Sequence, residues 1–402
     1  MSDVGNMQND WEEKEFVGCL MPVSIERTKQ IQANSYLKTG KYPIVDQGRN
    51  RITGWTNDEN ALLKDDLPLI VFGDHTRVFK YVDFPFALGA DGTKLIKPNQ
   101  DEFSTRFFYY YLLTLNIPER GYNRHYKLLK EQIVHYPSFS EQQKIAAVLL
   151  KIQQAIELQD SIIEKTRELK KSTLHHVFTY GLSGEKLKET EIGPIPESWF
   201  IGKIGDIGKI VTGTTPPTNY KEYYQGGNYQ FIAPNDIGKT TRIYEADKKI
   251  TEKGLEVSRL LPSKTVCFVC IGSTIGKVGI TVEEKTTTNQ QINSIVVDDN
   301  YDPYFVVYLL DYKSEYIASF ASPSPVPILS KGKFEEIIIM LSHNAEEQKE
   351  IARVLMTIDE KIEIHIAKKS ALQDLFKTML KKLMTGEIRV KDLDIDVSEV
   401  ST

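Results

Sequence analysis

Ser140-Glu-Gln-Gln-Lys-Ile-Ala-Ala-Val-Leu149 returns as Glu346-Glu-Gln-Lys-Glu-Ile-Ala-Arg-Val-Leu355, 206 positions further on. The offset holds without a gap to Thr179 and Thr385. It pairs Glu141 with Glu347, Gln142 with Gln348, Ile152 with Ile358, Ile156 with Ile362, Leu169 with Leu375 and Leu174 with Leu380. Apolar residues step by three and four through about 39 residues with no internal Pro or Gly, the period of an amphipathic helix. Ser140 ahead of Glu141-Gln-Gln143 reads as an N-cap with a capping-box Gln, and Gly181 and Gly386 read as C-terminal stops. Such a helix is ~58 Å long. It cannot bury its apolar stripe alone, so the two copies are expected to pack on each other.

Each helix follows a mixed, strand-rich block, at about 11–138 and 199–342. Leu67-Pro-Leu-Ile-Val-Phe72 and Thr265-Val-Cys-Phe-Val-Cys-Ile271 read as strands running into Gly73 and Gly272. A second strand follows in each block, Phe86-Ala-Leu88 through Lys94-Leu-Ile96 and Gln291-Ile-Asn-Ser-Ile-Val-Val297. An aromatic helix comes next, at Thr105-Arg-Phe-Phe-Tyr-Tyr-Tyr-Leu-Leu113 and Pro303-Tyr-Phe-Val-Val-Tyr-Leu-Leu310, its rings suited to core rather than to a ligand cage. The order of elements repeats while the residues mostly differ, which suits two modules of one architecture and different targets. The expected organisation is a first module over 1–138, helix 139–182, linker 183–198, a second module over 199–342, helix 343–386 and tail 387–402. The linker is polar with Pro and Gly punctuation; the acidic tail is expected to fray.

Composition bounds the chemistry. The 402 residues, 41% hydrophobic and 26% charged, are those of an ordinary soluble protein of two or three domains. No apolar run approaches the ~18 residues of a membrane span, and the polar, acidic first thirty residues lack a signal-peptide core. Three cysteines in so long a chain suit a reducing cytoplasm. Cys267-Phe-Val-Cys270 has no second pair for zinc and reads as buried strand. The net charge of −5 confines any nucleic-acid face to a local patch.

Candidate contacts lie on Gly-flanked loops. In the first module they are Gln47, Arg49, Asn50 and Arg51; Thr76 and Arg77; and Asn123, Arg124, His125 and Lys127 in a basic-aromatic cluster. Arginine suits guanine, amides suit adenine, and lysines and backbone amides position phosphates. In the second module the candidates are Thr214, Thr215 and Asn219; Lys239 and Arg242; Ser273, Thr274 and Lys277; and Asn289, Gln290 and Gln291. Ordinary solvated charges and turn-forming amides are the competing reading. Gly272-Ser-Thr-Ile-Gly276-Lys277 has the wrong spacing for a phosphate loop, and Thr215-Pro-Pro-Thr218 lacks both flanks of a methyltransferase motif. Neither Gly-x-Ser-x-Gly nor His-Glu-x-x-His occurs, and His175-His176 has no paired ligands, so no catalytic residue is assigned.

The chain resembles a specificity (S) subunit of a Type I restriction–modification system across essentially its whole length. The likeness is carried by Glu141-Gln142 and Glu347-Gln348, Leu383-Met-Thr-Gly-Glu387, Thr190-Glu-Ile-Gly-Pro-Ile-Pro-Glu-Ser-Trp199, Thr212-Gly-Thr-Thr-Pro216, Gly272-Ser-Thr-Ile-Gly276 and Asn289-Gln290. The resemblance implies an α+β protein with two mixed α/β target-recognition domains separated by a pair of long antiparallel, coiled-coil-like conserved helices. Each domain would read half of a split, asymmetric site in double-stranded DNA, with the helices setting the unread gap. It implies a non-catalytic subunit that recruits two methyltransferase (M) subunits and restriction (R) subunits. S-adenosylmethionine, ATP and magnesium would belong to those partners, with no cofactor in this chain. A ~58 Å helix matches ~17 base pairs at 3.4 Å each. The first domain departs more from the pattern, with Gly73-Asp-His-Thr-Arg77 and Gly89-Ala-Asp-Gly92 where the second has Gly-Ser-Thr-Ile-Gly and Asn-Gln-Gln. A Type IIB-like or methylation-only complex, or a protein-only coiled-coil adaptor, are the alternatives.

Overall fold

Both repeat copies fold as single uninterrupted helices, Phe139–Tyr180 of 42 residues and Ala345–Met384 of 40. At 1.5 Å per residue they are ~63 and ~60 Å long. In this computed structural model residues 10–23, 30–89, 92–119 and 124–400 are described. The chain divides into two units, 1–158 with 369–402 and 159–368. Each unit therefore holds one strand-rich block and one half of each long helix.

The first helix begins at Phe139, two residues ahead of the start that an N-cap at Ser140 implies. Ser140 lies inside the first turn, and the Gln142 amide donates to the Ser138 carbonyl instead. Asn344 opens the second helix, its side chain accepting from the Glu346 and Glu347 amides, the arrangement that satisfies orphan N–H groups. Gly181 and Gly386 take φ +70° and +69°, the left-handed geometry glycine allows just beyond a helix.

Within each unit the helix halves run antiparallel. In the second unit His365 Nδ1 meets Gln159 Oε1 at 2.7 Å, Lys170 meets Asp359 at 2.7 Å, and the Leu182 amide reaches Glu347 at 3.2 Å. Gln159 and His365 are themselves 206 apart, so repeat partners touch each other. In the first unit Glu141 accepts from Arg389 and Val390, and Tyr110 lies between Gln153, to which it donates at 2.9 Å, and the Phe376 ring at 5.9 Å. Each pair buries its stripe with the aromatic helix of the same unit. Ile145, Leu149, Leu383, Phe107 and Tyr110 share one cluster; Leu174, Phe178, Ile351, Leu355, Phe305 and Tyr308 share another.

The two blocks have matching strand pairings. In the first, Tyr42–Val45 pairs in parallel with Phe86–Leu88 and antiparallel with Gly54–Thr56, while Leu69–Gly73 is flanked by Phe79–Val82 and Thr93–Ile96. In the second, Tyr229–Ile232 pairs in parallel with Thr286–Thr288 and antiparallel with Lys248–Ile250, while Val266–Val269 is flanked by Val278–Thr281 and Ile292–Val297. Two details correct the sequence reading. Phe86–Leu88 and Thr93–Ile96 are separate strands of different sheets, and Phe79–Val82 and Val278–Thr281 are additional hairpin partners. The central strands are buried on both faces. Leu69 and Val71 join one cluster and Ile70 and Phe72 another; Cys267 and Val269 join one, Val266 and Phe268 another. That double burial explains their continuous apolar runs. It also separates the two cysteines, since Cys270 packs with Phe268, and burial pushes both thiols up to about 12.

The polar linker and the acidic tail are folded. Leu187–Lys188 pairs with Ile195–Pro196, and Ile195 is buried. Glu185 accepts from the amide and hydroxyl of Ser198. In the tail Val390 and Val400 are buried, and Arg389 bridges Glu141 and Asp10. The expectation of fraying fails because Ile388, Val390, Ile395, Val397 and Val400 find the core of the first unit. Among the described residues no helix is long and apolar enough to cross a membrane.

Candidate nucleic-acid interface

Three loops of each block converge at one end of its sheets. In the first unit they follow Val45, Phe72 and Leu88. The Thr76 hydroxyl donates to the Gln47 carbonyl, the His75 amide to Gln47 Oε1 at 3.4 Å, and the Asp74 amide to the Gly92 carbonyl at 2.6 Å. Gly73 is required by this closeness: a Cβ there would lie 2.1 Å from Thr76 Oγ1 and 2.9 Å from the Gln47 carbonyl oxygen. Asp74 is buried and ties in a fourth segment. Its carbonyl meets the His125 amide at 3.2 Å and Nδ1 at 2.7 Å, and its carboxylate accepts from the Tyr126 amide at 2.7 Å.

The sequence candidates divide accordingly. Arg49, Asn50, Arg51, Thr76, Arg124 and Lys127 are exposed and Gln47 is half-buried; the bonds of Thr76 and Gln47 also brace the loops. His125 is 1% exposed, so it supports the Asp74 junction rather than presenting its ring to a ligand. Arg77 is half-buried and occupied, donating to the Ile117 carbonyl at 3.1 Å and Glu119 at 3.2 Å. Asn123 lies outside the described residues.

In the second unit the loops follow Thr212, Val269 and Thr288. The Gly213 amide donates to Ile292 and the Thr214 amide to Thr288; a Cβ on Gly213 would sit 2.0 Å from the Asn289 carbonyl oxygen. The Thr215 hydroxyl donates to Gln290 Oε1, and Asn289 Nδ2 donates to Gln291 Oε1 at 2.9 Å. Gly272 and Gly276 take φ +97° and +96°, turning Ser273 outward into solvent with Thr274 and Lys277 half-buried. Lys277 lies along Gly238, which brings the Lys239 loop to the same end; Asn219 and Lys239 are exposed. Arg242 is committed elsewhere. Its guanidinium pairs with Glu360 at 3.1 Å and Glu363 at 3.9 Å on the second long helix and lies over the Tyr304 ring.

A segment not singled out from sequence joins this cluster. Residues 319–328 bring the Pro327 carbonyl to the Gly272 amide at 3.0 Å and expose Phe320, Val326 and Ile328. Its alternating Pro323, Pro325 and Pro327 were the available signal. Among the described residues no three His, Cys, Asp or Glu side chains form a group fit to hold a metal ion.

Comparison with known proteins gives a family. The family model described as "Type I restriction modification DNA specificity domain" matches residues 9–167 and again 196–374. The Type I restriction enzyme MjaIX specificity subunit of Methanocaldococcus jannaschii is 35% identical over 184 residues, 44% of this chain and 42% of that protein. The chain thus aligns with under half the length of that relative. The EcoR124I/EcoR124II specificity subunit of Escherichia coli is 24% identical over 341 residues, 82% of each. The crystal structure of the S subunit of a Type I restriction–modification system from M. genitalium superposes with a TM-score of 0.66 at 18% identity, over 95% of this chain and 99% of that one, which shows a shared fold.

Proposed function

The chain belongs to the Type I restriction–modification DNA specificity family, and from that premise we propose that it is the non-catalytic subunit that selects the DNA sequence. One observation carries the reading: two blocks with the same strand pairings present different side chains at the equivalent loops. Gln47, Thr76 and the glycines Gly89 and Gly92 stand where the second block has loop 233–239, Ser273–Lys277 and Asn289–Gln291. A shared frame with divergent loops suits two readers of two unlike half-sites, because base identity is read by side chains while the frame sets their register. The long helices set the unread gap between the halves.

Repeat-equivalent apolar positions on the helices support two equivalent partner sites. Leu158 and Ile364 are 58% and 63% exposed, and Leu169 and Leu375 are 52% and 45% exposed. Exposed apolar residues in matched sets mark docking surfaces better than single ones. Two methyltransferase subunits dock there in this reading, with restriction subunits added for cleavage; S-adenosylmethionine, ATP and magnesium act on those partners, in the cytoplasm. The test is binding of the purified chain with its methyltransferase to a randomised duplex pool. Enrichment of a two-part motif supports the proposal, and binding without sequence preference refutes it.

A further inference from the structure

A cavity of about 540 Å³ in the first unit adjoins the reading loops, lined by Arg49, Arg51, Lys80 and Arg106 with the rings of Tyr81 and Tyr109. Lys80 is the unusual member. Its side chain is 5% exposed, and its Nζ has no hydrogen-bond acceptor among the described residues. Asp46 forms an ion pair with it at 3.7 Å, too long for a hydrogen bond, and the Asp46 oxygens accept instead from the Gly48 amide and from the Thr53 and Tyr36 hydroxyls. Arg106 Nε is likewise buried without an acceptor, while its guanidinium lies 3.8 Å over the Tyr81 ring. An ammonium kept from water without acceptors is unfavourable unless something else supplies them.

The carboxylates around the cavity do not fill that role. Asp83 is held by Arg51 and Arg106, each at 3.2 Å, Glu157 by Gln153, and Glu399 by Lys151 and Gln154. Arg49, exposed at the mouth, has no ion-pair partner among the described residues. The fold does not require the lysine either. Lys80 stands opposite Val71 in the first block, where the second block has Gly279 opposite Cys267 in the same register. A Cβ on Gly279 would meet Ile243 at 3.0 Å, so apolar carbon occupies that space in the second block.

We propose that this cavity takes a tetrahedral oxyanion, a backbone phosphate of the bound DNA, on Lys80 Nζ, Arg106 Nε and the Arg49 guanidinium. The inference rests on the DNA-selecting role above. A charge-assisted phosphate contact would satisfy the orphan donors and fix the register of the neighbouring loop, since Arg49 is two residues from Gln47. Phosphate contacts position the protein without reading sequence, which suits donors set back from the loop tips.

The test uses the full chain, its Lys80→Met variant and its Arg49→Ala variant, on cognate and unrelated duplexes over a range of salt. Each variant is expected to bind both duplexes about tenfold more weakly at 0.1 M salt, with the salt slope reduced by about one and the order of preference kept. An unchanged slope in both variants overturns the inference. So does a changed preference at one base position, which makes the cavity a base reader. Should Lys80→Met not fold, Arg49→Ala on its exposed loop decides alone. A second arm follows thermal unfolding with inorganic phosphate. Protection lost in Lys80→Met with an unchanged DNA slope means a free-anion pocket and overturns the backbone assignment. The readouts separate the two claims: a wild-type chain without sequence preference refutes the selecting role, while the slope still decides the phosphate site.

Discussion

Gln142 and Gln348 show how one buried side chain ties a block to its helix. Gln142 accepts from the Ser104 amide and donates to the Glu102 and Pro137 carbonyls; Gln348 accepts from the Asp302 amide and donates to the Asn300 and Ser342 carbonyls. Replacing Gln142 by Leu strands two buried backbone groups and a part-buried one, each buried group costing about 1–3 kcal/mol less any relaxation, so a loss of several kcal/mol is expected in urea unfolding. A loss near zero would mean water fills the gap. Glu141 illustrates pH linkage. Burial alone would raise its carboxyl, but Arg389 and the Val390 amide reverse this and hold it below the usual range, while hydrogen bonding to Arg389 lowers Asp10 to about 2. Depressed folded values stabilise the docked tail above the unfolded carboxylate range and lose that contribution as pH falls through them. Hydrogen exchange at the Val390 amide is therefore expected to be slow above about pH 5 and, corrected for intrinsic rate, to quicken between about pH 4 and 2. Protection independent of pH would contradict the tail's reliance on these carboxylates.

The paired helices were legible because a 3.6-residue pattern sustained over about 39 positions and repeated in register leaves few alternatives. The doubly buried strands at Leu69 and Val266 were legible for their apolar runs. Phe79–Val82 was missed because a short edge strand containing Lys80 and Tyr81 has neither an apolar run nor clean alternation. The tail was misread because its docking depends on Arg389 meeting residues 248 and 379 positions away. The same limit governed the site. Glycine-flanked loops marked the converging ends, but nothing local told Arg242 that Glu360 waits 118 residues on, or Arg77 that Glu119 lies within reach. Arg77→Ala is accordingly expected to cost folding stability of the first unit, with any effect on base preference secondary. Relaxed preference at a single base with unchanged stability would restore it as a reader. Gly213→Ala is expected to destabilise the second unit by at least the ~1–3 kcal/mol of overpacking, since its Cβ would meet backbone oxygens of Asn289 and Thr288 at 2.0 and 2.3 Å. A stable variant with intact preference would show that the loops need not be so close.

The repeat distributes labour across the chain. Matched positions build the helices, which carry the partner surfaces in the function proposed above, and unmatched positions build loops. Charge placed on one matched surface should then remove one partner only. Leu169→Asp or Leu375→Asp is expected to leave one methyltransferase subunit bound instead of two by native mass spectrometry, whereas loss of both or of neither contradicts two equivalent sites. The claim that each block reads its own half-site is tested most directly by mapping methylated sites in cells carrying this chain and its methyltransferase, beside cells in which Ser273, Thr274 and Gln290 are alanine. The expected map is a two-part motif with a fixed unread gap, and the triple variant relaxes one part while the other part and the gap stay as they were. A single uninterrupted motif, or relaxation of both parts together, would contradict the account.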